Sequence, residues 1–169
     1  MKKMKNNKIL KKISFLFLCV VVAIFFVSCE QVESVPDASD IVIQDITGTW
    51  VVDMTYDGDD AGTNTISIYN SSTNDTSSMW LDDQEHSWGL KAKVPLNYEA
   101  LTFEGSNLDE LYYEVTVNIT KGVIVKNGAT TPSGEVVDSI YFEAEFSDIP
   151  GEIWVYSGYK STGKIIDLP

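Results

Sequence analysis

The chain has 169 residues, with twelve Lys, no Arg, 25 Asp and Glu, and one His, for a formal net charge of −13. Six of the lysines and none of the acids fall within residues 1–28, so the remainder is more acidic than that figure suggests. Such a body repels phosphate backbones and anionic headgroups, which excludes nucleic acid as a partner and a basic face as a membrane anchor.

Taken in order, Lys2, Lys3, Lys5, Lys8, Lys11 and Lys12 precede an apolar run from Ile13 to Val27, then Ser28 and Cys29. A charged head, an apolar middle and a small residue before the cut are the parts of a secretory signal peptide. As a helix the run reaches roughly 22 Å, short of a hydrocarbon core of about 30 Å, which favours a removed segment over a span. The cysteine after the cut makes this resemble a bacterial lipobox, with Phe26 where Leu is more usual. The resemblance implies that residues 1–28 are a lipoprotein signal peptide. Cys29 then becomes the first residue and carries acyl chains, two or more of which hold a protein stably on a bilayer. A plain secretory signal followed by a coincidental Cys is the alternative. Cys19 leaves with the signal, so no disulfide is expected in the mature chain.

Residues 29–40 contain Pro36, lack periodicity and read as a tether. Glu30 and Glu33 resemble the acidic signals that some outer-membrane lipoproteins use to reach the cell surface. The expected location is the outer membrane, on its periplasmic or cell-surface face. Residues 41–46 suggest a short strand or turn that covers one end of a domain spanning 41–169.

From Gly48 onward the pattern is strand after strand. Trp50, Val52, Met54 and Tyr56 alternate with Val51, Asp53 and Thr55, and Asp57-Gly58-Asp59-Asp60 ends the run. Ile66 and Ile68 share a face of a strand over 63–70, and Met79 and Leu81 oppose Trp80 over 77–82. Trp88, Leu90, Ala92 and Val94 alternate with Ser87, Gly89, Lys91 and Lys93. Leu101 and Phe103 lie together over 98–104, and Gly105–Asp109 has the spacing of a capping box with room for one helical turn. Tyr113, Val115, Val117 and Ile119 alternate next; Lys121-Gly122 and Asn127-Gly128 read as tight turns around 123–125. The longest strand is expected over 136–146, with Ile140, Phe142, Ala144 and Phe146 on one face. Over 153–160 both faces are apolar, and alternation does not assign them. Eight or nine half-buried strands joined by short Gly, Pro, Asn and Asp turns predict an all-β domain: an antiparallel up-and-down barrel of about eight strands, or a sandwich.

Gly48-Thr49-Trp50 at the head of the first strand resembles the Gly-x-Trp of lipocalins, whose Trp packs across the barrel's closed end. Lipocalins usually set a distant Arg against that Trp, and here there is no Arg. A wider resemblance runs through Met79–Asp83, Trp88–Val94, Leu101-Thr102-Phe103, Val125–Gly134, Phe146-Ser147-Asp148 and Pro150-Gly151, in that order. Together these resemble the secreted lipoprotein family labelled lipid-binding putative hydrolases, taken to be lipocalin-like barrels. The resemblance implies a barrel fold and a small apolar or amphipathic ligand, and it transfers no catalytic residue.

Trp50, Val52, Met54, Trp88, Leu90, Val115, Val117, Phe142 and Phe146 are the candidate lining of an apolar pocket, unless they simply fill the barrel. No cofactor is expected. Trp80, Tyr112, Tyr141, Trp154 and Tyr156 fall on the other parity and offer an outward platform for sugars or a partner protein. As the one histidine, His86 is the only general base for an esterase-like hydrolase, with Asp82 and Asp83 near it. No Gly-x-Ser-x-Gly accompanies it. Asp82, Glu85 and His86, or Asp57, Asp59 and Asp60, could be read as calcium ligands, but Ile68 stands where an EF-hand needs an acid, so no metal is assigned.

Overall fold

The computed structural model describes residues 40–169. The expected signal peptide over 1–28, Cys29 and the expected tether to residue 39 lie outside the described residues. Eight strands follow one another: β1 Gly48–Tyr56, β2 Asp59–Asn70, β3 Ser78–Asp82, β4 Lys91–Asn97, β5 Thr102–Asp109, β6 Thr116–Thr130, β7 Val136–Phe146 and β8 Trp154–Lys160. Each pairs antiparallel with the next, and β1 pairs antiparallel with β8 from Trp50↔Lys160 to Tyr56↔Trp154. The sheet is therefore a closed barrel and not a sandwich. Closure satisfies the backbone groups that a first and a last strand would otherwise leave exposed.

Period-two alternation sorts the side chains. Trp50, Val52 and Met54 of β1, Ile66 and Ile68 of β2, Met79 and Leu81 of β3, and Ala92, Val94 and Leu96 of β4 are buried in one core. Ile140, Phe142, Ala144 and Phe146 of β7 join them, as expected from their spacing.

The register corrects several expectations. Trp154 and Tyr156 point inward, because they pair with Tyr56 and Met54 on one side and with Ala144 and Phe142 on the other. They are part of the core and not of an outward platform. Residues 105–109 continue β5 as a bulged strand instead of a helical turn, paired through Gly105↔Ile119 and Leu108↔Val117. Lys121-Gly122 and Asn127-Gly128 do not reverse the chain. Lys121 and Asn127 adopt left-handed φ of 55° and 53°, and each marks a bulge within the single 15-residue β6. The first bulge switches parity: Val117 and Ile119 face inward before it, Gly122 and Ile124 after it. An extra residue has this effect because successive side chains alternate faces. Trp88 and Leu90 precede β4, and Tyr113 and Val115 precede β6, so these four lie on loops instead of strands. Leu101 likewise belongs to the β4–β5 turn, with φ of 52°.

One end is sealed. Ile41–Ile46 form turns closed by Gln44 N–H to Ile41 O (3.1 Å) and Ile46 N–H to Ile43 O (3.0 Å), which bury Ile43 and Ile46. Trp50 donates from Nε1 to Ile46 O at 3.2 Å. Lys160, at the end of β8, sets its Nζ 6.0 Å from the centre of the Trp50 ring and donates to Asp45 O at 2.6 Å. A lysine thus supplies the cation over this tryptophan in a chain without arginine. Asp167 is fully buried and accepts from Ser133 N–H, Ser133 Oγ and Thr162 Oγ1, which ties the C-terminal segment to the β6–β7 turn at this end.

Candidate functional site

The opposite end carries the β1–β2, β3–β4, β5–β6 and β7–β8 connections and forms the mouth. Two of these loops are braced by a buried carboxylate each. Asp83 is fully buried and accepts from Glu85 N–H (2.9 Å), Gly89 N–H (2.9 Å) and the Ser87 hydroxyl. Asp83 N–H bonds to Leu90 O at 2.8 Å, closing the loop. Gln84 and Glu85 are consecutive left-handed residues, φ 54° and 57°, a conformation that persists only where partners over-determine it. Gly89 is needed twice, for its φ of 98° and because a Cβ there would lie 2.3 Å from the Tyr113 ring. Glu110, also buried, accepts from the N–H groups of Lys91 (3.0 Å), Tyr112 (2.9 Å) and Tyr113 (2.8 Å). Carboxylates satisfied in this way hold loops that have little apolar packing of their own.

These braces set Trp88 over Trp154, with ring centres 5.5 Å apart, and Trp154 in turn meets Tyr56 at 4.7 Å. A second aromatic tier connects Tyr156 to Phe142 (4.5 Å, nearly parallel) and Phe142 to Phe103 (5.8 Å). Ser87, Trp88, Tyr113, Val115 and Asp148 line a cleft of about 460 Å³ at the mouth. Of the nine residues expected to line a pocket, Trp88 and Val115 border this cleft, whereas Trp50, Val52, Met54, Leu90, Val117, Phe142 and Phe146 lie in the packed core. Trp88 is 41% exposed and Tyr113 57%, so the rim of the cleft is aromatic and wet.

Alternation alone does not mark Asp83 or Glu110 as braces. A signal was present for the first: Asp83 follows Met79 and Leu81 on the inward parity, where an acid must be paired or bonded.

His86 is exposed, and its Nδ1 meets Thr65 Oγ1 at 3.3 Å on β2. Ser87 bonds to Asp83 and not to His86. Asp82 faces away from Asp83, on the outer wall. It pairs with Lys91 (2.9 Å) and accepts from Tyr69 (2.8 Å), Tyr112 (2.6 Å) and Gln84 N–H (2.9 Å). His86, Asp82 and Asp83 thus have separate partners. Among the described residues no group of three or more His, Cys, Asp and Glu is placed to hold a metal ion.

Burial alone would raise the Asp82 carboxyl, but the Tyr112, Lys91, Tyr69 and Gln84 donors outweigh it and hold the pKa at about 2. Tyr112 is pushed up to about 12 by burial and by that carboxylate. Because the Asp82 pKa is depressed on folding, its stabilisation is complete above the unfolded value of about 3.9 and lost as pH falls towards 2. Denaturant unfolding at about pH 5 and about pH 2 is expected to show a loss of about 2 kcal/mol from this group. In Asp82→Asn that component disappears; an unchanged pH dependence there would refute the assignment.

A closed eight-stranded up-and-down barrel of this kind is a small barrel whose interior is filled by side chains or holds one small ligand. The sequence profile described as lipid-binding putative hydrolase matches residues 35–165, and the chain belongs to that family. Comparison with curated proteins finds no match.

Proposed function

We propose that the chain is a membrane-anchored lipoprotein whose barrel binds a small apolar or amphipathic, lipid-like molecule at its mouth. The observation that carries this reading is the cleft of about 460 Å³ walled by Trp88, Tyr113 and Val115 above a filled core. Exposed aromatics that line a concavity gain about 25 cal/mol for each Å² of apolar surface covered, which favours an acyl chain laid along them. Family membership supports a lipid as the ligand class. The anchor rests on the basic head, the apolar run and Cys29, and the outer membrane, at its periplasmic or cell-surface face, is the proposed location.

The test is native mass spectrometry and titration of the full chain with a medium-chain lipid probe. Trp88→Ala is expected to weaken binding about tenfold, since an indole wall contributes about 1–2 kcal/mol of contact, while the fold survives because the side chain lies at the surface. Unchanged affinity would refute the site. Cys29→Ser is expected to abolish incorporation of labelled fatty acid and release the protein from membranes; labelling that persists would refute the anchor.

A further inference from the structure

The helical turn Ile165–Asp167, which follows β8 at the sealed end, is inside out. Its acid, Asp167, is fully buried, while Ile165 is 90% exposed and Ile166 66%. Leu168, next along, is exposed as well. Polar partners are the cause. Asp167 accepts from the Ser133 N–H and from the hydroxyls of Ser133 and Thr162, and Lys164 pairs with Glu135. The turn cannot roll over without breaking these bonds, so the face it presents is apolar. Single exposed apolar residues are ordinary, but three held outward together by buried polar bonds mark a contact surface. Val136, at the start of β7, is exposed at the same end.

The chain also enters the domain at this end. Val42 N–H donates to Asn74 Oδ1 (3.2 Å) and Asn74 Nδ2 to Asp40 O (2.8 Å), which fixes residues 40–42 against the β2–β3 turn. From Cys29 to Asp40 the chain advances eleven residues, a reach of at most about 40 Å. An acyl anchor on Cys29 thus keeps the domain near the bilayer without fixing which way it points. Charge selects the direction. The mouth exposes Asp57, Asp59, Asp60, Glu85, Glu114 and Asp148, and the four connections there carry no lysine. Trp88 and Tyr113 suit a membrane interface by type, but this acidic rim is repelled by anionic headgroups. At the sealed end Lys126, Lys160 and Lys164 offset the local acids. We infer that Ile165, Ile166 and Leu168 enter the interface of the bilayer that holds the acyl chains, so that the barrel stands on its sealed end with its mouth turned to water. This rests on the anchor in the proposed function and adds a second contact and an orientation. Three side chains are too few to hold a domain alone. They suffice once the tether raises their effective concentration at the surface. Ligand then reaches the mouth from the aqueous side.

The experiment attaches a nitroxide to the acylated full chain at Ile166→Cys or, for comparison, at Leu111→Cys in the β5–β6 loop of the mouth. Each protein is reconstituted into vesicles of phosphatidylethanolamine with a minority of phosphatidylglycerol. Collisions of the label with oxygen, which concentrates in the bilayer, are compared with collisions with a water-soluble nickel chelate. The label at 166 is expected to favour oxygen several-fold more than the label at 111. A label at Leu168→Cys should lose that preference when Ile165→Asp and Ile166→Asp are added. The thermal midpoint should not change, because both isoleucines are exposed. If the label at 166 meets nickel as freely as the label at 111, the inference is overturned and the anchor stands. The same holds if the label at 166 is shielded from both reagents, by the tether or by a second copy. Label count separates the two readings. An acylated Cys29 has no free thiol, so one nitroxide per chain is expected; two would show Cys29 free, and anchor and inference would fall together.

Discussion

Replacing Trp50 with alanine is expected to destabilise the barrel by about 3–5 kcal/mol, a large share of the margin of a domain this size. The side chain is fully buried at the sealed end. Its removal leaves a cavity between β1 and Ile66 of β2, strips Ile46 O of its donor and takes the ring away from Lys160. Urea unfolding would measure the effect. The milder Trp50→Phe keeps most of the volume and should recover more than half of the loss. If Trp50→Ala cost no more than an average surface substitution, the packing of Trp50 under Ile46 and Lys160 would contribute little to the barrel.

Gly158→Ala is expected to be comparably severe for the opposite reason. A Cβ at this position would lie 1.9 Å from Val51 O and 2.7 Å from Val52 Cα. Real side chains do not approach backbone so closely, and neither atom belongs to a group that can swing aside. Gly158 pairs with Val52 across the seam between first and last strands and with Ile140 on its other side. The methyl group must therefore part β8 from β1. Overpacking usually costs about 1–3 kcal/mol, and a clash with the main chain of β1 at the seam of a closed ring belongs at or above the top of that range. Gly134→Ala is the comparison, since Gly134 has φ of +88° with nothing within 4 Å. It should cost about 1 kcal/mol, from backbone strain alone. Equal destabilisation by the two substitutions would show that the seam has more slack than its geometry implies.

Strands with one strictly apolar parity could be read from residues alone. β7 spans Val136–Phe146 with the expected bounds, although the bulged β6 and not β7 is the longest strand, and Ile66 with Ile68, and Met79 with Leu81, face the interior as their alternation indicates. β8 could not be oriented that way because Trp154, Val155 and Tyr156 are apolar on both parities. Only register settles it, through the pairing of Tyr156 with Met54 and Phe142. The dipeptides Lys121-Gly122 and Asn127-Gly128 carry the same left-handed chemistry in a hairpin turn as in a bulge. What separates the two outcomes is whether a partner strand continues alongside, and β7 does. The mouth was half legible. Trp88 and Val115 were among the nine candidate pocket residues, but alternation placed them on strands. The structure gives both positions to loops, that of Trp88 being held by Asp83 through bonds up to six residues along the chain.

Ring closure also sets the order in which this domain can be completed. The bond from Lys160 to Asp45 spans 115 residues, and β1 gains its second neighbour only when 154–160 arrive. Contacts of such long range put a barrel among the slow folders, on scales of roughly milliseconds to seconds. A chain stopped before residue 154 would hold two raw edges, β1 and β7, with no means of hiding either, and open edges recruit other molecules. The arrival of β8 is thus the step that pairs both of these edges at once.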